Sequence, residues 1–271
     1  MRRSTAVVVG LALALVAGCG GSSGKAGTSK HDSLSVLSAA QSKTTAAKSA
    51  KTTMVIKSTV AGQSVNVTAD GAFAFAEKRG TLTMQIPNPQ GGAPLSMKAV
   101  FDGTDFYLNS DLFTGLIGKH WLKVDLAKFT GDASKLGAQD PTQGLAFLAG
   151  VQSATAVGQE KVRGVSTTHY TATIDLEAQA AKLGGTQAKL FAKYRGMIGS
   201  RTMPVDVWID DQGRVARMAI TVAIKPTAAT GGQGGSSTVT TDYYDWGTKV
   251  DVVLPPASDV GDGSALLSRL G

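Results

Sequence analysis

Apolar residues fall on alternate positions over much of this 271-residue chain. From Lys51 onward, Met54, Ile56 and Val60 alternate with Lys57 and Thr59, and Ala61-Gly62 follows as a tight turn. Val65, Val67, Ala69, Phe73 and Phe75 then take odd positions against Ser64, Asn66, Thr68 and Asp70 on even ones. A period of two places each set on its own face of a strand. Asp70-Gly71 reads either as a bulge inside one long strand or as a turn between two short ones. Leu82, Met84 and Ile86 continue the alternation as far as the loop from Pro87 to Pro94. Leu95, Met97, Ala99 and Phe101 run into Asp102-Gly103, a two-residue hairpin signal, and on to Phe106-Tyr107-Leu108.

Residues 110 to 150 are less regular, with Leu112, Phe113, Leu116 and Ile117 set among glycines. Trp121 to Val124 suits a short strand and Thr142 to Ala149 a helix. A second strand block follows in Val151 to Val162, a turn at Gly164, and Ser166 to Leu176. Glu177 to Arg195 reads as a helix, since Leu176, Ala180, Leu183, Leu190, Phe191 and Tyr194 share one stripe, although Gly184-Gly185 weakens its middle. Val205, Val207 and Ile209 form a strand that turns at Asp210 to Gly213 and pairs with Val215 to Ile224. After a Gly-rich loop, Thr238 to Trp246 is the last long strand, Val250 to Leu254 extends it, and the tail holds a short helix around Leu266 and Leu267. Near the other end, Leu34, Val36, Leu37, Ala40 and Ala47 recur at helical spacing within His31 to Lys48.

Two blocks of antiparallel strands, each followed by helical material, predict an α+β fold and not a βαβ one. Alternation in nearly every strand gives the sheet one buried face and one wet face. A sheet of about ten strands has to curl. The predicted architecture is a strongly curved antiparallel β half-barrel with helices packed on its concave face, enclosing an apolar cavity. Its expected wall is Met54, Ile56, Val65, Val67, Phe73, Phe75, Leu82, Met84, Ile86, Met97, Phe101, Ile174, Val207 and Ile220. Methionine recurs on this face at positions 54, 84, 97, 197, 203 and 218, and it is the side chain that adapts best to variable apolar partners.

The first residues change the setting. Arg2 and Arg3, the small-apolar run from Ala6 to Ala17, and Val16-Ala17-Gly18-Cys19 have the order of charge, apolar core and cleavage site of a secretory signal. The run is shorter than the ~20 apolar residues of a membrane-spanning helix. Its last four residues resemble a bacterial lipobox, and Cys19 is the only cysteine in the chain. Residues 1–18 are therefore expected to be a lipoprotein signal, residues 19–33 a lipidated Cys19 with a flexible linker, and residues 34–271 a single domain. Two acyl chains anchor stably where one binds only marginally. That places the domain on the extracytoplasmic face of the cell membrane. The formal charge of +7 includes Arg2 and Arg3, and the remaining lysines and arginines are scattered, with no basic run interleaved with aromatics. Nucleic acid is thereby an unsuitable partner.

Chemistry-bearing patterns are few. His31, His120 and His169 lack metal-ligand spacing, and there is no H-E-x-x-H, paired-cysteine or G-x-S-x-G pattern. Asp210-Asp211 and Asp242 with Asp245 read as turn and strand-end acids and not as a calcium site. The chain is expected to be no enzyme and to need neither metal nor cofactor.

The run from Gly150 to Ile174, the pair Pro204-Val-Asp-Val-Trp-Ile209 and Asp211-Gln-Gly213, and Tyr243-Tyr-Asp-Trp-Gly247 before Val250-Asp-Val252 resemble signatures of the actinobacterial LppX/LprA/LprF/LprG lipoproteins. That resemblance implies a fold like the LolA and LolB lipoprotein carriers and binding of acylated lipids or glycolipids. The leading expectation is a membrane-anchored carrier of lipid in a hydrophobic cavity, with an export protein as a further partner. The competing one is a structural lipoprotein of the envelope that docks a protein partner, to which Trp208, facing outward between Asp206 and Asp210, would contribute.

Overall fold

The computed structural model describes residues 30–263 except 61, 89–90, 126–140, 183–197, 199 and 227–231. Cys19 and its signal, most of the stripe expected over Glu177 to Arg195, Met197 and the tail around Leu266 lie outside these residues.

Helix α1 (Lys30–Ala46) leads into β1 (Ser49–Val60), β2 (Gln63–Ala74), β3 (Arg79–Ile86), β4 (Leu95–Asp102) and β5 (Asp105–Asn109). Then come α2 (Asp111–Ile117), β6 (Trp121–Asp125), and α3 (Pro141–Ala146), which runs on into a 3-10 turn, Phe147–Gly150. β7 (Val151–Val162), β8 (Val165–Asp175), α4 (Leu176–Lys182), β9 (Thr202–Asp210), β10 (Val215–Ile224), β11 (Gly235–Tyr244) and β12 (Val260–Asp262) complete the described elements. All the strands form one sheet in the order β12-β6-β5-β4-β3-β2-β1-β11-β10-β9-β8-β7. Every pairing is antiparallel except β12 beside β6. The two edges, β7 and β12, stay apart, so the sheet is curved and unclosed.

Asp70-Gly71 is neither a turn nor a bulge. β2 pairs with β1 without a register shift from Gln63 to Ala74, passing straight through both residues. Gly71 is there because β2 and β3 press together: a Cβ at Gly71 would overlap the Thr81 carbonyl oxygen, and one at Gly80 would strike the Phe73 ring and the Ala72 carbonyl. Such close backbone approach within a strand admits only glycine. The sheet is also curved at its other end. In a flat sheet β11 would lie about 14 Å from β8, three strand spacings away. The Arg163 guanidinium at the β7–β8 tip nevertheless lies 3.8 Å from the centre of the Tyr244 ring on β11.

Two further expectations are corrected, and one strand is added. Leu112 to Ile117, read as irregular, belong to α2, whose Ser110-Asp111 start offers the usual N-terminal residues despite Gly115. Val250 to Leu254 is no strand; it leaves the sheet, and Val253 is 80% exposed. β12 carries too few residues to show a period, and its parallel pairing with β6 depends wholly on partners distant in sequence.

α1 packs on β7, β10 and the 3-10 turn, and α4 on β8 and that turn, whereas α2 lies at the opposite edge with Ile117 beside Gly261 of β12. The buried stripe of α1 is Ser33, Leu37, Ala40 and Thr44, small and partly polar, while Leu34 and Val36 are only half-buried. Thr44 explains the polar member: its hydroxyl donates to the Ala40 carbonyl oxygen at 2.6 Å and accepts the Val215 N–H at 2.9 Å. Val215 begins β10 beside a register shift, where the ladder leaves its amide otherwise unpaired, and a buried amide needs a partner.

Candidate functional site: a methionine row on the apolar face

Strand register converts the scattered methionines into one feature. Met97 stands opposite Met84, Met84 opposite Ala69, Ala69 opposite Met54, Met54 opposite Thr241, Thr241 opposite Met218, and Met218 opposite Val207. Four methionines from β4, β3, β1 and β10 thus share a single cross-strand row on the apolar face. A neighbouring row runs Val67, Ile56, Val239, Ile220, Val205 and Ala172. Phe73, Phe101 and Phe106 close one side as a chain of ring contacts at 5.8 and 4.9 Å, with Phe75 6.3 Å from Phe73.

Of the predicted wall, Met54, Phe73, Phe75, Leu82, Met84, Phe101, Ile174, Val207 and Ile220 are buried, and Ile56, Val67, Ile86 and Met97 are half-buried. Val65 departs from the expectation. It is 45% exposed because β2 from Gln63 to Val67 runs past the end of β3, whose pairing with β2 begins only at Thr68. The structure brings Met54, Ile56, Val67, Leu82 and Met84 together with Ala69 around a recess of about 10 Å³. That volume holds about one water-sized sphere. Ile174, Val207 and Ile220 do not line it; Ile174 and Ile220 sit on β8 and β10, which helices contact, and Val207 on β9 between those strands.

The opposite face is polar and organised around residues that the sequence left unconnected. His169 Nδ1 lies 3.0 Å from Glu160 and Nε2 2.9 Å from Asp206, while the ring stacks on Trp208. Both ring nitrogens are thereby held by carboxylates. Trp208 Nε1 donates to Glu160 at 2.7 Å, and Arg217 lies over the other side of the indole and holds Asp242 by two bonds. Trp208 does face outward as expected, but its polar edge is committed within its own chain. Nothing in the sequence announces this cluster, since its members lie on β7, β8, β9, β10 and β11 and meet only through register.

Among the described residues no helix is long and apolar enough to cross a membrane, and no three His, Cys, Asp or Glu side chains gather as a metal site.

A single open, almost wholly antiparallel sheet with an apolar face and few helices defines a mostly-sheet α+β protein. The LppX_LprAFG lipoprotein family matches residues 32–252, and the chain belongs to it. It is 30% identical over 264 residues to an uncharacterized 31.2 kDa protein of the rplA–rplJ intergenic region of Streptomyces griseus, covering 90% of this chain and 83% of that one. It is 26% identical over 234 residues to the candidate lipoprotein SCO4650 of Streptomyces coelicolor, covering 80% and 71%. Its fold is similar to the crystal structure of Mycobacterium tuberculosis lipoprotein LppX, with a TM-score of 0.51, 15% identity, and 83% and 100% of the two chains covered.

Proposed function

We propose that this protein is a non-enzymatic carrier, anchored to the membrane through an acylated Cys19, that holds acyl chains of a membrane lipid or glycolipid against the methionine row. The observation that carries the reading is the alignment of Met97, Met84, Met54 and Met218 across the apolar face. An ordinary core is served better by Leu, Ile and Val, whose rotamers are well defined. Methionine is unbranched and polarizable, and it fills gaps of changing shape. With about 10 Å³ free between them, Met54 and Met84 have to swing aside to admit a chain. Each methylene then removed from water contributes about 0.8 kcal/mol, which offsets the loss of methionine contacts.

Native mass spectrometry of protein purified from its own membrane tests the proposal. Acyl lipid should co-purify, and delipidated protein should take up a fluorescent fatty-acyl probe. Met54→Leu with Met84→Leu, which conserves volume but stiffens the row, should weaken both properties while remaining folded. Lipid-free wild-type protein that takes up no probe would reject the carrier reading.

A further inference from the structure

We propose a second binding site at the far end of the sheet, separate from the methionine row, that takes a compact ligand through an oxyanion, a carboxylate or a phosphate group. The tip of the β7–β8 hairpin, the β9–β10 turn and the end of β11 enclose a cavity of about 330 Å³ there. Small-molecule sites occupy about 300–1,000 Å³ and pair apolar walls with a few convergent polar groups. Val162, Val165 and Ala216 supply apolar wall, and Tyr244, Trp246 and Arg163 supply rings and charge. Of the sequence runs by which the chain resembles its family, the one from Gly150 to Ile174 and the one from Tyr243 to Gly247 line this cavity, and Asp210 and Arg214, which flank Asp211-Gln-Gly213, line it as well.

Charge pairing singles out Arg163. Arg214 is matched by Asp210 at 2.8 Å, Arg217 by Asp242 at 2.6 Å, and Lys51 by Asp245 at 2.7 Å. Three cations and three carboxylates are thereby balanced. Arg163 reaches Asp242 only at 3.9 Å, and among the described residues its guanidinium makes no hydrogen bond. Its flat face rests on the Tyr244 ring. Stacking uses the face of a guanidinium and leaves its N–H edge free, and that planar fork matches the two oxygens of a carboxylate or phosphate.

The backbone holds Arg163 in place at some cost. Val162 pairs with Val165, so Arg163-Gly164 is a two-residue hairpin turn, and both residues have positive φ, 50° and 84°. Such a turn favours Asn, Asp or Gly at its first position, and an arginine there is strained. Strain of this kind persists where the side chain it presents has a use. Asparagine or glycine would make a better turn, and only arginine makes the anion fork.

The test uses full-length protein and follows the amide resonances of Gly164 and Gly247 during titration with inorganic phosphate, glycerol 3-phosphate or butyrate. Wild-type protein should show saturable shifts with at least one probe, and residues around Met84 should not respond. Arg163→Gly, which relieves the strained φ, should weaken binding about tenfold or more while melting no lower than wild type. Should that variant fail to fold, Arg163→Asn, which also suits positive φ, replaces it. A response to butyrate alone assigns a carboxylate. Tighter binding of a short-chain phosphatidylglycerol than of glycerol 3-phosphate assigns a lipid headgroup, and equal binding a free solute. Absence of saturable shifts at tens of millimolar, or equal binding by Arg163→Gly, overturns the proposal and leaves the carrier reading untouched.

Discussion

His169 lies flat against Trp208, with ring centres 4.2 Å apart and planes 9° from parallel. The two residues are register partners on β8 and β9, and Glu160 on β7 bonds to both, to Nδ1 of His169 and to Nε1 of Trp208. The polar face is thus pinned across three strands by one stacked pair and one carboxylate.

Trp208→Ser should therefore be felt, although an outward-facing residue invites the expectation of a silent change. A stacked aromatic pair contributes about 0.5–1.5 kcal/mol beyond its buried area. Urea denaturation should show a loss of at least about 1 kcal/mol. An unchanged midpoint would mean that Trp208 is free in solution, and would return it to the role of a docking residue.

The bond from the Trp208 indole, and next that from His169, hold the Glu160 carboxyl below its ordinary value. A folded value lower than the unfolded one makes ionised Glu160 stabilising above the ordinary value, and that contribution fades as pH falls through the folded value. Carbon-detected titration should place the Glu160 midpoint below the other exposed glutamates. Glu160→Gln should remove part of the stability lost on acidification. A midpoint at the ordinary value near ~4.3 would show the hairpin contact broken in solution.

Thr44→Val keeps shape and volume while deleting the acceptor for the Val215 amide. An orphaned buried donor costs about 1–3 kcal/mol. Thr44→Ser, which retains the hydroxyl, should recover most of the loss in a melting experiment. If both variants melt alike, the link between α1 and β10 is packing alone.

Gly71→Ala places a methyl group onto the Thr81 carbonyl. Overpacking of this kind costs about 1–3 kcal/mol, because backbone and not a flexible side chain has to give way. Gly62→Ser, with nothing within 4 Å of the added Cβ, should cost less, the remaining penalty coming from its φ of 75°. Equal melting temperatures for the two variants would refute the tight β2–β3 approach.

Cys19→Ala should release the domain into the medium or leave an uncleaved precursor. Retention of a mature-sized mutant in membranes washed with high salt would exclude the acyl anchor.

Alternation was enough to read β1, β3, β4 and β9 as strands with their inward residues, and with the turn signals the α+β class, because a half-buried strand writes its faces into the sequence two residues at a time. Met54, Leu82, Met84 and Val207 are legible as inward for that reason. What alternation does not carry is which residue stands opposite which. Register lines up Met97, Met84, Met54 and Met218 into a row and places His169 against Trp208, and the coiling of the sheet brings Arg163 to Tyr244. It also decides Asp70-Gly71, where the local sequence suits a turn and the pairing with β1 and the close approach of β3 keep the strand unbroken. Each of these relations joins residues separated by one or more strand connections. They are settled by cross-strand pairing and by the coiling of the sheet, which are free energies of the assembled molecule and not of any single segment.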